Sequence, residues 1–316
     1  DVAVTGVQTC ALPILILNNF IKGLLGKSES QEKNGEGSSA FTREEFGDSQ
    51  ASTESLLISP PQIITGCAQS VGKLRDHNED TLFALTSVFS DGESQLPFGI
   101  FIVADGMGGH QYGEVASRYA TRAVADYLML KLFSPIMGLQ NESSGESLVE
   151  ILENAVDRAQ QMVINKAPGG GTTLSVAVLI GTQVTIAHVG DSRIYFAYED
   201  GRFEPITQDH TYVGHLIEQG HLTREEAENH PKRNILYRAI GQAEPFKPDI
   251  QTIQFPENGY MMMCSDGLWG VVPHAEMYKT IVSTQDLPVA CHLLTEAANR
   301  LGGPDNISVL LVKQIK

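Results

Sequence analysis

Apolar positions along the chain follow two rhythms, one of period two and one near 3.6, separated by glycine and polar breaks. The run from Pro97 to His110, PFGIFIVADGMGGH, carries Ile100, Ile102 and Val103 in a continuous apolar stretch and so predicts a buried strand. It stops at Asp105, followed by Gly106, Gly108 and Gly109. This is either an Asp-Gly turn or a strand end that delivers a carboxylate to one fixed place. Upstream, ITGCAQSVG (64–72) supplies a first strand, so the folded domain is expected to begin near Gln62 and run to Lys316.

Gly113 to Leu132 places Ala116, Tyr119, Ala120, Ala123 and Val124 at helical spacing, and a second helix fits Glu146 to Lys166. The period then changes. Thr172–Ile180, Gln183–Val189 and Arg193–Tyr198 are β-rich and predict an antiparallel meander, with a further hairpin turn at Asp200-Gly201. Gly259–Ser265 predicts a short buried strand ending at Asp266-Gly267, and helices are expected near Pro273–Val282 and Leu287–Leu301. Ile307–Val312 predicts a last strand behind Asp305-Asn306.

Thr207 to Asn234 is polar and holds His210, His215, His221 and His230. Their spacings match no standard ligand pattern, so a surface segment with short helices around Val213–Gln219 and Arg224–Asn229 is expected instead of a metal site. Thr223 followed by Glu226 suits a capping box.

The first 61 residues have neither rhythm in strength. VTGVQTCALPI (4–14) resembles the translation of a sequencing-library adapter, so residues 1–14 are set aside as a scar and the native start is expected at or before Leu15. Residues 15–61 read as a disordered linker rich in Ser, Glu and Gly, with a short amphipathic helix expected at its start, LILNNFIKGLL (15–25), which is too short to span a bilayer.

Composition narrows the classes. With 316 residues and 42% hydrophobic content the chain can bury a full core. Its 38 acidic against 22 basic residues give a net charge of −16, which opposes binding to nucleic acid or anionic membranes and favours a protein partner or a metal. With Cys10 assigned to the scar, Cys67, Cys264 and Cys291 form no CxxC pair and no disulfide framework, as expected in the cytoplasm.

Three strand boundaries carry an aspartate, Asp105, Asp266 and Asp305, and Glu79 sits beside Asp80 in RDHNED (75–80). Each alone reads as a turn residue. Gathered at one end of a sheet, these acids would repel one another by roughly 4 kcal/mol per pair at about 4 Å and an effective dielectric near 20. Two divalent cations would cancel the charge of Glu79, Asp105, Asp266 and Asp305, and an all-oxygen set favours Mg²⁺ or Mn²⁺ over zinc. Two hard cations suit hydrolysis of a phosphate ester, and Arg75 would offer a fork to the phosphoryl oxygens.

RDHNED (75–80), VADGMGGH (103–110), GGTTLSV (170–176), HVGDSRIY (188–195), CSDGLWG (264–270) and GGPDNISV (302–309) occur in the order and spacing of the metal-dependent type 2C Ser/Thr protein phosphatases, and residues 62–316 resemble the bacterial branch of that family. Residues 207–241 are similar to that branch's flap. The resemblance implies an α+β fold, a four-layer α/β/β/α sandwich of two antiparallel sheets flanked by helices. It implies a cytoplasmic, monomeric enzyme that removes phosphate from Ser or Thr of phosphorylated proteins, opposing a bacterial-type Ser/Thr kinase. It also implies two Mn²⁺ or Mg²⁺ ions with a bridging hydroxide that attacks phosphorus directly. Asp105 would bridge both ions, Glu79 and the Gly106 carbonyl would hold one, and Asp266 and Asp305 the other. Asp80 would orient water, Arg75 would bind the substrate phosphate, and Asp191 matches the position of a weaker third metal.

Two departures stand out. Met107 occupies the place where animal members have a histidine, so water must protonate the leaving group. Gly270 stands where many members have a second aspartate for the third metal, which leaves Asp191 as its main support. A non-catalytic phosphoprotein-binding scaffold on the same fold is the alternative.

Overall fold

A computed structural model of the chain describes residues 60–90, 95–108, 112–137, 145–223, 226, 230–232, 235–242 and 247–315. The expected scar, nearly all of the linker, His110 and most of the second flap helix lie outside the described residues.

Two five-stranded antiparallel sheets form the centre. One has the order β1 (Gln62–Ser70), β12 (Ile307–Ile315), β11 (Tyr260–Cys264), β8 (Arg193–Ala197), β9 (Phe203–Pro205). The other runs β10 (Asp249–Gln254), β7 (Gln183–Val189), β6 (Leu174–Ile180), β3 (Gln95–Ala104), β2 (Thr81–Ser90), and a two-stranded ribbon pairs β4 (Gly106–Met107) with β5 (Gly171–Thr172).

Strand alternation builds three apolar cores and hence four layers. On β3 and β6, Ile100, Ile102, Val176 and Val178 face helices α1 (Tyr112–Leu128) and α2 (Leu148–Lys166). Their alternates Phe101, Val103, Ala177 and Leu179 face the second sheet, meeting Ile194, Phe196, Met261, Met263, Leu310 and Val312. On that sheet Met262, Cys264, Val309 and Leu311 point outward to α5 (His274–Ser283) and α6 (Leu287–Arg300). A strand buried on both faces reads as an unbroken apolar run, which is why β3 is so legible. Each fully buried aliphatic side chain contributes roughly 1.5–3 kcal/mol.

The helices are set by local chemistry. Ser147 caps α2: its side chain accepts from Glu150 N, and Glu150 Oε2 accepts from Ser147 N at 2.7 Å, completing a capping box. Asp286 Oδ1 accepts from Val289 N at 3.2 Å and starts α6. The first helix is shorter than its apolar rhythm predicts: it ends at Leu128 and continues as a π-helical turn over Met129–Phe133.

The expected meander is corrected. β6 and β7 form a hairpin, but β8 leaves for the other sheet, where it pairs with β11 and β9. Gly190, Asp191 and Ser192 make the crossing, and period-two patterning cannot reveal which sheet a strand joins. β10 was not anticipated from the sequence; its alternation is weak because it is an edge strand.

Register brings many strand ends to one place. Thr81 pairs with Ala104, so the start of β2 lies beside the end of β3. Cys264 pairs with both Val309 and Arg193, Ser70 with Ile307, and Leu174 with Val189. Glu79, Asp80, Asp105, Asp191, Asp266 and Asp305 all belong to the segments that leave or enter these strands.

Candidate active site

Asp105 is held through its backbone. Its amide donates to Thr173 Oγ1 at 2.9 Å, and its carbonyl accepts from Thr173 N and Thr172 Oγ1, both at 2.8 Å. The backbone is thus fixed while the carboxyl group remains available. The residue is half-buried, and desolvation together with Asp80, Asp266, Asp191 and Asp305 holds its pKa well above the ordinary carboxylate range.

Asp80 is fixed by its side chain. Oδ2 accepts from Ser308 Oγ at 2.7 Å and Ser265 Oγ at 2.8 Å, and Gln69 Nε2 donates to Ser308 Oγ at 2.9 Å. Burial, then the charges of Asp266 and Asp305, push Asp80 up to about 7 against the pull of its two serine donors. Asp266 opens the one-turn helix α4 (Asp266–Trp269), and burial with Asp305 pushes it up to about 6. Asp191 is raised well above the ordinary range, chiefly by burial and then by Asp266 and Asp209.

Asp305 accepts from Arg75 Nη2 at 2.7 Å, and the Arg75 side chain is half exposed. Glu79 Oε1 lies 3.1 Å from His77 Nε2. The 71–80 loop is organised by Asn306: Oδ1 accepts from Glu79 N at 2.8 Å, and Nδ2 donates to the carbonyls of Val71 and His77, both at 2.9 Å. Gly72, at φ +80°, permits the close approach of this loop, since a Cβ there would lie 2.2 Å from Asp305 O.

The structure therefore brings Arg75, Glu79, Asp80, Asp105, Gly106, Asp191, Asp266 and Asp305 to neighbouring strand ends. Among the described residues no three His, Cys, Asp or Glu side chains already converge as a closed metal site. Instead burial and the neighbouring acids favour the protonated forms of Asp105 and Asp266, and Arg75 engages Asp305. Crowded acids without counter-ions relieve their repulsion in these ways, by taking up protons and recruiting a cation.

Two observations test whether divalent cations fit. Asp80 Oδ1 and Asp266 Oδ1 are buried with no hydrogen-bond partner, a costly state that a bound cation or its water would relieve. Space beside Glu79 is also kept clear: a Cβ on Gly113 would lie 2.6 Å from Glu79 Oε2, and one on Gly106 would lie 2.6 Å from Glu79 O. All-oxygen donors suit Mn²⁺ or Mg²⁺. The residues fit the group.

Sequence reading singled out the acids and missed their holders, Asn306, Ser265, Ser308, Thr172 and Thr173. The detectable signal was a hydroxyl or amide next to each acid or facing it across a strand pair. The four-histidine segment forms no metal site among its described residues. His210 Nε2 lies 3.0 Å from Asp249 Oδ2, and Gly190 N donates to His210 Nδ1 at 3.1 Å.

A family model described as Protein phosphatase 2C matches residues 76–299. The chain belongs to the protein phosphatase 2C family. It is 36% identical over 249 residues to the serine/threonine phosphatase stp of Listeria innocua, covering 77% of this chain and 92% of that protein. It is likewise 36% identical over 245 residues to protein phosphatase PhpP of Streptococcus pneumoniae, covering 77% and 94%. The catalytic domain of the phosphatase PstP, solved in complex with two manganese ions, superposes with a TM-score of 0.63 at 28% identity over 81% of this chain and 100% of that one. As a family member the chain is a serine/threonine protein phosphatase of the α+β sandwich fold. Among the described residues no helix is long and apolar enough to cross a membrane.

Proposed function

We propose that this phosphatase removes phosphate from phosphoserine and phosphothreonine of proteins, in the cytoplasm and as a monomer, with a Ser/Thr kinase and its substrates as its partners. The observation that carries the site assignment is the set of crowded acids, mutually raised in pKa, that leaves two buried carboxylate oxygens without a partner. Asp105, Glu79 and the Gly106 carbonyl, with Asp266 and Asp305, would hold two Mn²⁺ or Mg²⁺ ions, and Asp191 a weaker third. When bound, these ions supply charge neutralisation and an activated water.

The chain's own groups do the rest. Arg75 is half exposed and bound to a single carboxylate, so it can turn its fork to a phosphoryl group once Asp305 has another partner. Asp80 Oδ1, with its sister oxygen fixed by two serines, orients the attacking water along the line away from the leaving oxygen. Met107 pairs with Gly171 and has no proton to give, so water must protonate the leaving oxygen.

The purified full chain is expected to hydrolyse p-nitrophenyl phosphate and a phosphothreonine peptide with Mn²⁺ and to lose both activities in EDTA. Equal rates in Mn²⁺ and EDTA would sink the metal-dependent reading.

A further inference from the structure

Arg193 lies just beyond the acidic cluster and none of the roles above uses it. Its side chain is about one-fifth exposed. Nε and Nη2 donate to Asp209 Oδ1 at 2.9 Å and Oδ2 at 2.7 Å, a two-pronged grip, and Nη1 donates to Tyr195 Oη at 3.0 Å. The guanidinium carbon sits 3.4 Å from the centroid of the Trp269 ring, stacked on its face. Every nitrogen is engaged in the plane and the face is engaged as well. Only a planar cation can do both at once.

Each partner leads to a different part of the molecule. Trp269 closes the one-turn helix that Asp266 opens, and its indole N–H donates to the Asp191 carbonyl at 3.0 Å. One ring therefore braces the segments carrying two of the candidate ligands. Asp209 lies at the root of the flap, beside His210, whose amide donates to Gly190 O at 2.8 Å. Tyr195 Oη continues to His274 Nε2 at 3.3 Å, at the start of α5. A charge this buried is costly to desolvate, and an apolar residue there would stack with less penalty. The charge and the fork together connect the flap root to the ring that holds Asp191 and Asp266.

We propose that Arg193 is a positioning residue that fixes Trp269, and through it Asp191 and the Asp266 helix, in the arrangement that receives divalent cations, an inference that rests on the metal-dependent reading above. Asp209 anchors Arg193 from the flap side, so the flap root and the acidic centre share one brace.

Trp269 is the sole tryptophan of the chain, so fluorescence excited at the red edge, where the nine tyrosines do not absorb, reports this brace alone. Stepwise addition of Mg²⁺ to the metal-stripped full chain should change the Trp269 emission with the same midpoint as activation of p-nitrophenyl phosphate hydrolysis. In Arg193→Lys both midpoints should rise about tenfold, the scale of one lost charge-assisted hydrogen bond, while kcat at saturating Mg²⁺ stays near wild type. Asp209→Asn should move both midpoints the same way, and the double variant should go no further than Arg193→Lys. Should Arg193→Lys fail to fold, Asp209→Asn decides alone. A purely structural role would lower Tm and leave both midpoints at wild-type values, and that result in a wild-type background that is active overturns the inference. A wild type that neither hydrolyses the ester nor responds to Mg²⁺ overturns the metal-dependent reading and this inference together.

Discussion

Two buried polar clusters sit in this fold and are built on opposite principles. The histidine cluster is complete: His188 lies with Nδ1 2.9 Å from Ser175 Oγ and Nε2 3.0 Å from Gly190 O, and Arg238 Nη1 donates to Asp249 Oδ1 at 2.7 Å beside His210. The acidic cluster is incomplete, with like charges pressed together and two orphaned oxygens. A satisfied buried network specifies structure; an unsatisfied one stores a demand for a ligand. On this contrast the histidines serve stability, and the acids are the candidates for the proposed chemistry.

The sharpest way to break this contrast is Asp105→Asn. Turnover should fall by at least about 10³-fold with Mn²⁺ present, because the central carboxylate is lost. Urea unfolding of the metal-stripped variant should meanwhile give a stability equal to or above wild type, since one mutually repelling acid is gone. A near-normal rate would remove Asp105 from the centre.

His188→Ala should do the reverse. It should cost about 2–4 kcal/mol of stability by opening a cavity and removing the Nε2 contacts to the Gly190 and Gln208 carbonyls, while the rate per folded molecule stays near wild type.

A third test uses pH. Burial holds His188 down to about 3, far below the ordinary value, so the unfolded chain takes up its proton first and this group loses stability as pH falls below about 6.5. Asp80 and Asp266 are pushed up to about 7 and 6, so the folded state keeps protons that the unfolded chain has released above about pH 4. Their contribution is therefore greatest at the acid end of that window and declines as pH rises through 6 and 7. In EDTA these slopes oppose each other between about pH 4 and 6.5. Saturating Mg²⁺ holds the acids ionised, so stability should then rise from pH 5 to 8, with a gap between the two profiles on the order of 2 kcal/mol at pH 8. Superimposable melting profiles with and without Mg²⁺ would contradict this.

The smallest effect is expected for Ser308→Ala, which removes one of two donors to Asp80 Oδ2 and should lower kcat by about tenfold. An unchanged kcat would make the serine pair a packing feature.

Much of this was legible in the sequence where one physical rule acts alone. β3 announced itself because both of its faces are covered, α2 because its apolar rhythm is helical, and the acids because each abuts an apolar run. Legibility failed where a choice depended on distant partners. β8 has the pattern of a third meander strand, and only its pairing with Met261–Cys264 reveals the other sheet. Asp80 and Asp105 look alike in sequence, yet one is gripped by serines from β12 and the β11 end and the other only through its backbone. The Arg193 stack joins residues 76 positions apart, beyond the reach of any local spacing.

The crossing at Gly190–Ser192 and the pairings at the strand ends have a mechanical consequence. Glu79, Asp80 and Asp105 flank the β2–β3 pair of one sheet, whereas Asp266 and Asp305 flank the β11–β12 pair of the other. The acids straddle the seam of the sandwich. Any sliding of one sheet over its neighbour changes the spacing between the two groups, and ions held between them as proposed would clasp the halves together. Amide exchange at the ends of β3 and β11 should slow in step when Mg²⁺ is added, which would make the proposed metal site also the fastener of the fold.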